Sequence, residues 1–318
     1  MTVQVTTVLG PVPVDQLGRV DAHAHLFLRS PILPGEEFQD GDAMTGEVAE
    51  VARSGIETVV DLTPIGLGRR PARTARLSRD TGVQVVLATG VHRAAHYPAG
   101  HWLYEVDDDT LLDCLVTDLT TGIDERDWQG PRPLPSEVRA GIVKLGASYH
   151  HLQPAERRWF RVGAAAGTRC GVPVAVHTEI GTSAHEVLDE LEQLGVAPSA
   201  VMLAHLDRNP DPGLHVELAA RGAFLGYDTI GRTKYHPDAV VLDLIGAVAA
   251  AGHAGQILLG TDVGRRGMLR AYGGGPGMAV LGRTFVPRLR AAYGDALVAT
   301  VLQENPQRLF TGSGAAQP

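Results

Sequence analysis

The sequence predicts a (β/α)8 barrel, and three observations carry that prediction. Short apolar runs alternate with helical patterns along nearly the whole chain, eight such runs can be counted, and no glycine-rich phosphate turn follows the first of them. Strands that are apolar on both faces belong to parallel sheets covered by helices, and an open doubly wound sheet would carry its glycine fingerprint after strand 1. A chain of 318 residues suits one barrel, so 1–318 is expected to be a single domain.

Taken in order, the lead over 1–18 is rich in Thr and Val and turns at Gly10-Pro11 and Gly18, which suggests a small hairpin over one end. Strand 1 lies within 19–28, and a helix follows to about residue 54 with Met44, Val48, Val51 and Ala52 on its apolar face and Gly55 closing it. Strand 2 (56–62), a helix (72–80) and strand 3 (83–90) begin the alternation. One long helix is predicted over 101–121, where Leu111, Leu112, Leu115 and Leu119 recur at helical spacing. Strands 4 to 8 fall at 141–147, 172–177, 200–205, 223–227 and 256–261, with helices at 154–170, 183–194, 214–220 and 239–250 between them. The Gly-rich run at 273–277 reads as a loop entering a helix, and 311–318 as a frayed tail.

Composition narrows the function. The chain is 44% hydrophobic and 20% charged, as globular proteins are, and its net charge of −8 argues against nucleic acid as a partner. No uninterrupted apolar run is long enough for a membrane span, and no basic segment followed by an apolar one marks a secretory signal. Cys114 and Cys170 have no metal-type spacing, so they are expected to be small core residues of a protein in a reducing cytoplasm.

In such a barrel the active site lies at the C-terminal ends of the strands. Side chains alternate along a strand, so His23 and His25 share a face; taken alone they could be ordinary polar residues. Lys144 on strand 4, His177 ending strand 5, His205 ending strand 6 and Asp262 ending strand 8 reach the same rim. A lysine among apolar residues on a buried strand is rarely left unpaired. Four imidazoles and a carboxylate suit zinc first, with manganese or cobalt as alternatives.

The order His-x-His, Lys, His, His, Asp, together with Gly10-Pro-Val-Pro and Glu304-Asn-Pro-Gln-Arg-Leu-Phe, resembles the phosphotriesterase-like branch of the amidohydrolase superfamily over nearly the whole chain. The resemblance implies two divalent metal ions. It places His23, His25 and Asp262 on the first, His177 and His205 on the second, and Lys144 on both as a carbamate formed with carbon dioxide. It also implies that Asp262 takes the proton of the attacking hydroxide and returns it to the leaving group, and that the chain forms a homodimer. Two positions depart from the pattern. Ala24 stands where many relatives carry Glu, and Arg208 stands where phosphotriesterases proper carry an aspartate for proton relay, which argues against phosphotriester hydrolysis as the main activity.

Two further loops add positive charge: 226–238 with Arg232 and Lys234, and 262–268 with Arg265 and Arg266. Such cations present charge-assisted donors to an anion. This pattern resembles a subgroup that hydrolyses phosphorylated sugar lactones, with Met268 standing where that subgroup carries a tyrosine and Tyr272 as its possible substitute. Asp207, Arg208, His92 and Tyr97 are further candidates to line the pocket. The expectation is therefore a cytoplasmic hydrolase opening a small, anionic or phosphorylated sugar lactone. An amide or ester hydrolase of the N-acyl amino acid type, a phosphotriesterase side activity and a metal-bound binding module are the alternatives.

Overall fold

The computed structural model describes residues 2–312. A hairpin of β1 (Gln4–Thr7) and β2 (Gly10–Pro13) precedes a sheet of eight strands. These are β3 (Val20–Ala24), β4 (Thr58–Asp61), β5 (Gln84–Gly90), β6 (Ile142–Ala147), β7 (Val174–Thr178), β8 (Val201–Ala204), β9 (Phe224–Tyr227) and β10 (Ile257–Leu259). Each pairs in parallel with its sequence neighbour. The amides of Thr261 and Asp262 donate to the His23 carbonyl at 3.0 and 2.8 Å and bring the last strand against the first. The expected (β/α)8 barrel is the architecture found.

The eightfold pattern exists because each strand has two apolar faces with different partners. Val60, Val86, Ile142, Ala175, Met202, Phe224 and Leu258 fill the barrel interior. Their neighbours Val59, Val85, Val143, Val176, Leu203 and Leu259 pack outward beneath the helices. Val5, Val14 and Leu17 from the N-terminal lead and Leu309 and Phe310 from the last helix join the interior cluster, so the hairpin and the C-terminus seal the end away from the rim. The C-terminal helix runs to Gly312, beyond the expected start of the tail, and the rest of that tail, 313–318, lies outside the described residues.

Two local features depart from expectation. The long helix over 101–121 is two, Trp102–Glu105 and Asp108–Thr120, with Asp107 between them accepting from the Thr110 amide at 2.7 Å. An N-cap aspartate starts a new helix wherever its side chain takes an orphan amide, and leucine spacing alone cannot show this. Strand β3 also shifts register between Asp21 and Ala24. Ala22 packs in the barrel interior while Ala24 packs outside, so simple alternation fails across His23. An extra residue of this kind re-aims a side chain, and here it turns His23 toward the barrel axis.

Beside the rim, Arg69 is buried between two carboxylates, donating from Nη1 to Asp118 Oδ2 and from Nε to Asp127 Oδ1, each at 2.8 Å. Trp128 Nε1 and Thr89 Oγ1 complete Asp118 at 2.8 and 2.7 Å, fixing the long loop after the Asp108–Thr120 helix against β5. Arg69→Ala leaves buried carboxylates without their cation and is expected to cost about 3–5 kcal/mol. Urea unfolding should show this as a lower midpoint at unchanged slope, and a loss below about 1 kcal/mol would contradict the assignment.

Candidate active site

The strand ends bring His23, His25, Lys144, His177, His205 and Asp262 to one rim. His205, directly after β8, and Asp262, in the segment that follows β10, have φ of +68° and +40°, left-handed conformations that non-glycine residues rarely hold. Gly260 makes room for this corner, because a Cβ there would come within 2.9 Å of the His23 side chain.

Each histidine has one ring nitrogen committed to an oxygen. His23 Nδ1 donates to Asp228 Oδ2 at 2.8 Å and His205 Nδ1 to Asp228 Oδ1 at 2.6 Å. His25 Nδ1 meets Thr63 Oγ1 at 2.8 Å, and His177 Nε2 donates to Glu179 Oε2 at 2.7 Å. A neutral imidazole has a single proton, so donation to a carboxylate leaves the opposite nitrogen bare. His205 Nε2 and His177 Nδ1 therefore face each other as lone pairs at 2.9 Å. Two such acceptors at that distance need a cation or a shared proton between them. His23 Nε2 and His25 Nε2 stand 3.6 and 3.3 Å from Asp262 Oδ1. Buried Lys144 Nζ has no hydrogen-bond partner among the described residues. Bare imidazole nitrogens, a carboxylate and an orphaned amine are a donor set that divalent first-row metals accept.

Electrostatics keep these rings neutral, as that assignment requires. Burial pushes His23 and His177 down to about 4 each, the Lys144 charge adding for His23 and Glu179 opposing for His177. Burial would raise Asp262, but Arg232, His205 and His23 hold it well below the carboxylate range. Burial also lowers Lys144 to about 8, against the pull of Asp228 and Asp262. An amine with that value is about one-tenth neutral at pH 7, far more than an exposed lysine, and the neutral form is the one that reacts as a nucleophile.

A cavity of about 150 Å³ opens over these groups. Arg208, Arg232 and Arg265 line it together with Tyr235, His92, His96, Arg93 and Glu179. Arg208 and Arg232 both pair with Asp262 Oδ2 and lie over the Tyr235 ring at 4.8 and 5.3 Å, and the Nε of each is buried without an acceptor among the described residues. The other sequence candidates sit outside the lining. Lys234 is exposed and rests on the outer side of the site, 4.7 Å from the Tyr235 ring. Arg266 is exposed over Tyr272, whose hydroxyl accepts from the Asp40 amide at 3.2 Å. The buried Tyr97 hydroxyl donates to the Ile65 carbonyl at 2.9 Å and accepts from the His92 amide. Asp207 turns beneath the rim to accept from the Thr229 amide at 2.8 Å, and burial with nearby Asp228 raises it to about 7. Met268 packs partly buried against the core.

Several residues of the site escaped the sequence reading. Asp228 follows β9 and ends its strand as the other rim residues do, which was a usable signal. Glu179 stands two residues beyond His177, and Arg93 and His96 lie in the loop after β5; their spacing carries no mark.

The barrel and the donor set at its rim define a hydrolase of the metal-dependent (β/α)8 kind. Residues 3–310 match the phosphotriesterase family, and the chain belongs to it. It is 31% identical over 320 residues to a phospho-furanose lactonase from Mycoplasmopsis synoviae, spanning 96% of this chain and 90% of that one. A solved lactonase from Listeria monocytogenes superposes with a TM-score of 0.88 at 27% identity, covering 96% of this chain and 98% of the other. The phosphotriesterase homology protein from Escherichia coli, solved with phosphate in its active site, gives a TM-score of 0.85 at 28% identity, covering 92% and 99%. Among the described residues no helix is long and apolar enough to cross a membrane.

Beneath the rim, His215 donates from Nε2 to the Leu206 carbonyl at 3.1 Å and accepts from the Tyr227 hydroxyl at 2.8 Å, supporting the turn that follows His205. Burial lowers it to about 4 from an unfolded value of 6.5, so the unfolded chain binds the extra proton first as pH falls. The stability it contributes is complete above pH 6.5 and is lost toward about pH 4. Compared with His215→Gln, the wild type should lose up to about 1.4 kcal/mol more per pH unit across that window. Parallel pH profiles of urea stability would contradict this.

Proposed function

We propose that the protein hydrolyses the ester bond of a lactone, and that its substrate is an anionic, phosphorylated sugar lactone. The observation that carries this reading is the placement of Arg208, Arg232 and Arg265 on the wall of the cavity that contains Asp262. Their guanidinium groups offer charge-assisted donors to an oxyanion of the substrate. The lactonase and phosphate-bound relatives support the same substrate class.

In this reading His23, His25 and Asp262 would hold one divalent cation and His177 and His205 a second, and Lys144, if carboxylated by carbon dioxide, would contribute its oxygens to the same centre. Zinc suits the donors best, with manganese or cobalt as alternatives. When bound, the cations supply an acidified water and a polarised carbonyl oxygen. The chain's own residues do the rest. Water adds to the lactone carbonyl carbon, the ring C–O bond breaks, and the ring oxygen leaves as a hydroxyl, giving a hydroxy acid. Asp262 accepts the proton of the water and returns it to that oxygen. Arg208 and Arg232 hold Asp262 ionised, and Arg265 at the mouth orients the anionic end of the substrate. Free Cys114 and Cys170 support a reducing, cytoplasmic setting.

Arg265→Ala removes one charge-assisted contact of about 1.5–3 kcal/mol. It should lower kcat/KM for a phosphorylated lactone about 10- to 100-fold and leave its unphosphorylated parent within about threefold. Equal losses on both would remove the anion role. Dialysis against a chelator should abolish turnover, with recovery on adding zinc, manganese or cobalt; full activity in the stripped protein would refute the metal reading. Incubation with 13C-bicarbonate should give a carbamate carbon resonance that is absent from Lys144→Ala.

A further inference from the structure

Three of the rim histidines are held on carboxylates, and they are not held alike. Asp228, shared by His23 and His205, is fully buried. Glu179 serves His177 alone, lines the cavity, and its side chain is 21% exposed. It begins the short turn Glu179–Gly181 after β7, where Ile180 has a φ of +55°. A Cβ on Gly181 would meet the Asn209 side chain at 2.8 Å, so the turn is seated directly against the segment that follows His205. Arg93, from the loop after β5, holds the same Glu179 oxygen at 3.2 Å.

The consequence falls on His177. Without an acceptor at Nε2, the neutral ring is free to carry its proton on Nδ1, and the lone pair facing His205 disappears. We propose that Glu179 is a positioning residue of the metal centre: it fixes His177 as an Nδ1 donor for the cation shared with His205, and Arg93 holds the carboxylate in that orientation. The inference rests on the two-cation reading above and adds to it two residues from outside the rim set. Outer groups of this kind fix the ring orientation and basicity of metal-binding histidines, and their loss weakens metal binding without unfolding the protein.

Metal-stripped protein is titrated with zinc against a chromophoric chelator, and with cobalt(II) to follow the absorption of the bound ion. The wild type should take up two ions. Glu179→Ala should bind one with wild-type affinity and the other about 10- to 100-fold more weakly. Glu179→Gln, whose carbonyl still accepts from Nε2, should lose less, and Arg93→Ala should fall between it and the wild type. The metal-free variants should melt with the wild type; if Glu179→Ala does not fold, the selective weakening in Glu179→Gln and Arg93→Ala carries the test. Wild-type affinity for both ions in the Glu179 variants would overturn the inference and leave the two-cation reading standing. A wild type that binds fewer than two ions would overturn both.

Discussion

One buried carboxylate, Asp228, sets the terms for the rim. Its two oxygens accept from His23 on β3 and from His205 at the end of β8, which fixes both imidazoles in the same tautomer and turns both Nε2 atoms to the axis. Burial opposes its charge, yet the two imidazoles hold it well below the usual carboxylate range. A fully buried carboxylate survives only when its lone pairs are filled, so the histidines and Asp228 keep one another in place. Asp21 makes the neighbouring seam in a similar way, accepting from Thr261 Oγ1 at 2.8 Å and tying β3 to the end of β10. Burial raises it to about 7, outweighing the hydrogen bonds from Thr261 and His23 that favour its ionised form.

Around that frame the cavity has two unlike walls. On one side Arg208, Arg232 and Arg265 gather positive charge around Asp262 and Tyr235. On the other, His92 and His96 stack at 3.9 Å beside His177, with Arg93 and Glu179 beyond them. Asp262 stands between the walls, one oxygen toward His23 and His25 and the other toward the arginines. The same carboxylate thus links the reacting centre to the charge that would recognise the substrate. Arg208 makes this link, and a residue of the opposite charge at that position could not.

Much of this was legible in the sequence, for a physical reason. Parallel strands buried on both faces are continuously apolar, so a polar residue at the end of one, as at His177, His205 and Asp262, or a lysine within one, as at Lys144, stands out. Alternation predicted that His23 and His25 share a face, but it could not show the register shift that places Ala22 and Ala24 in different cores. The cationic loop after β9 was recognised, yet its shape was not. Arg232 turns inward to Asp262 while Lys234, two residues on, stays in solvent. Tyr97 looked like a pocket residue because it lies in a rim loop, but its hydroxyl is committed to backbone groups. Asp228 also follows a barrel strand, but its place in the sequence does not say that it serves two histidines at once. Only the positions of His23 and His205 reveal its role.

Whether this rim opens lactone rings bearing an anionic group is decided by one competition on the metal-loaded enzyme, in which kcat/KM is measured for phosphorylated sugar lactones, their unphosphorylated parents and N-acyl amino acids under the same conditions. Phosphorylated lactones should be preferred over their parents by at least about tenfold, as one charge-assisted contact allows, with amides last. Turnover of the N-acyl amino acids with no measurable opening of any lactone would contradict this.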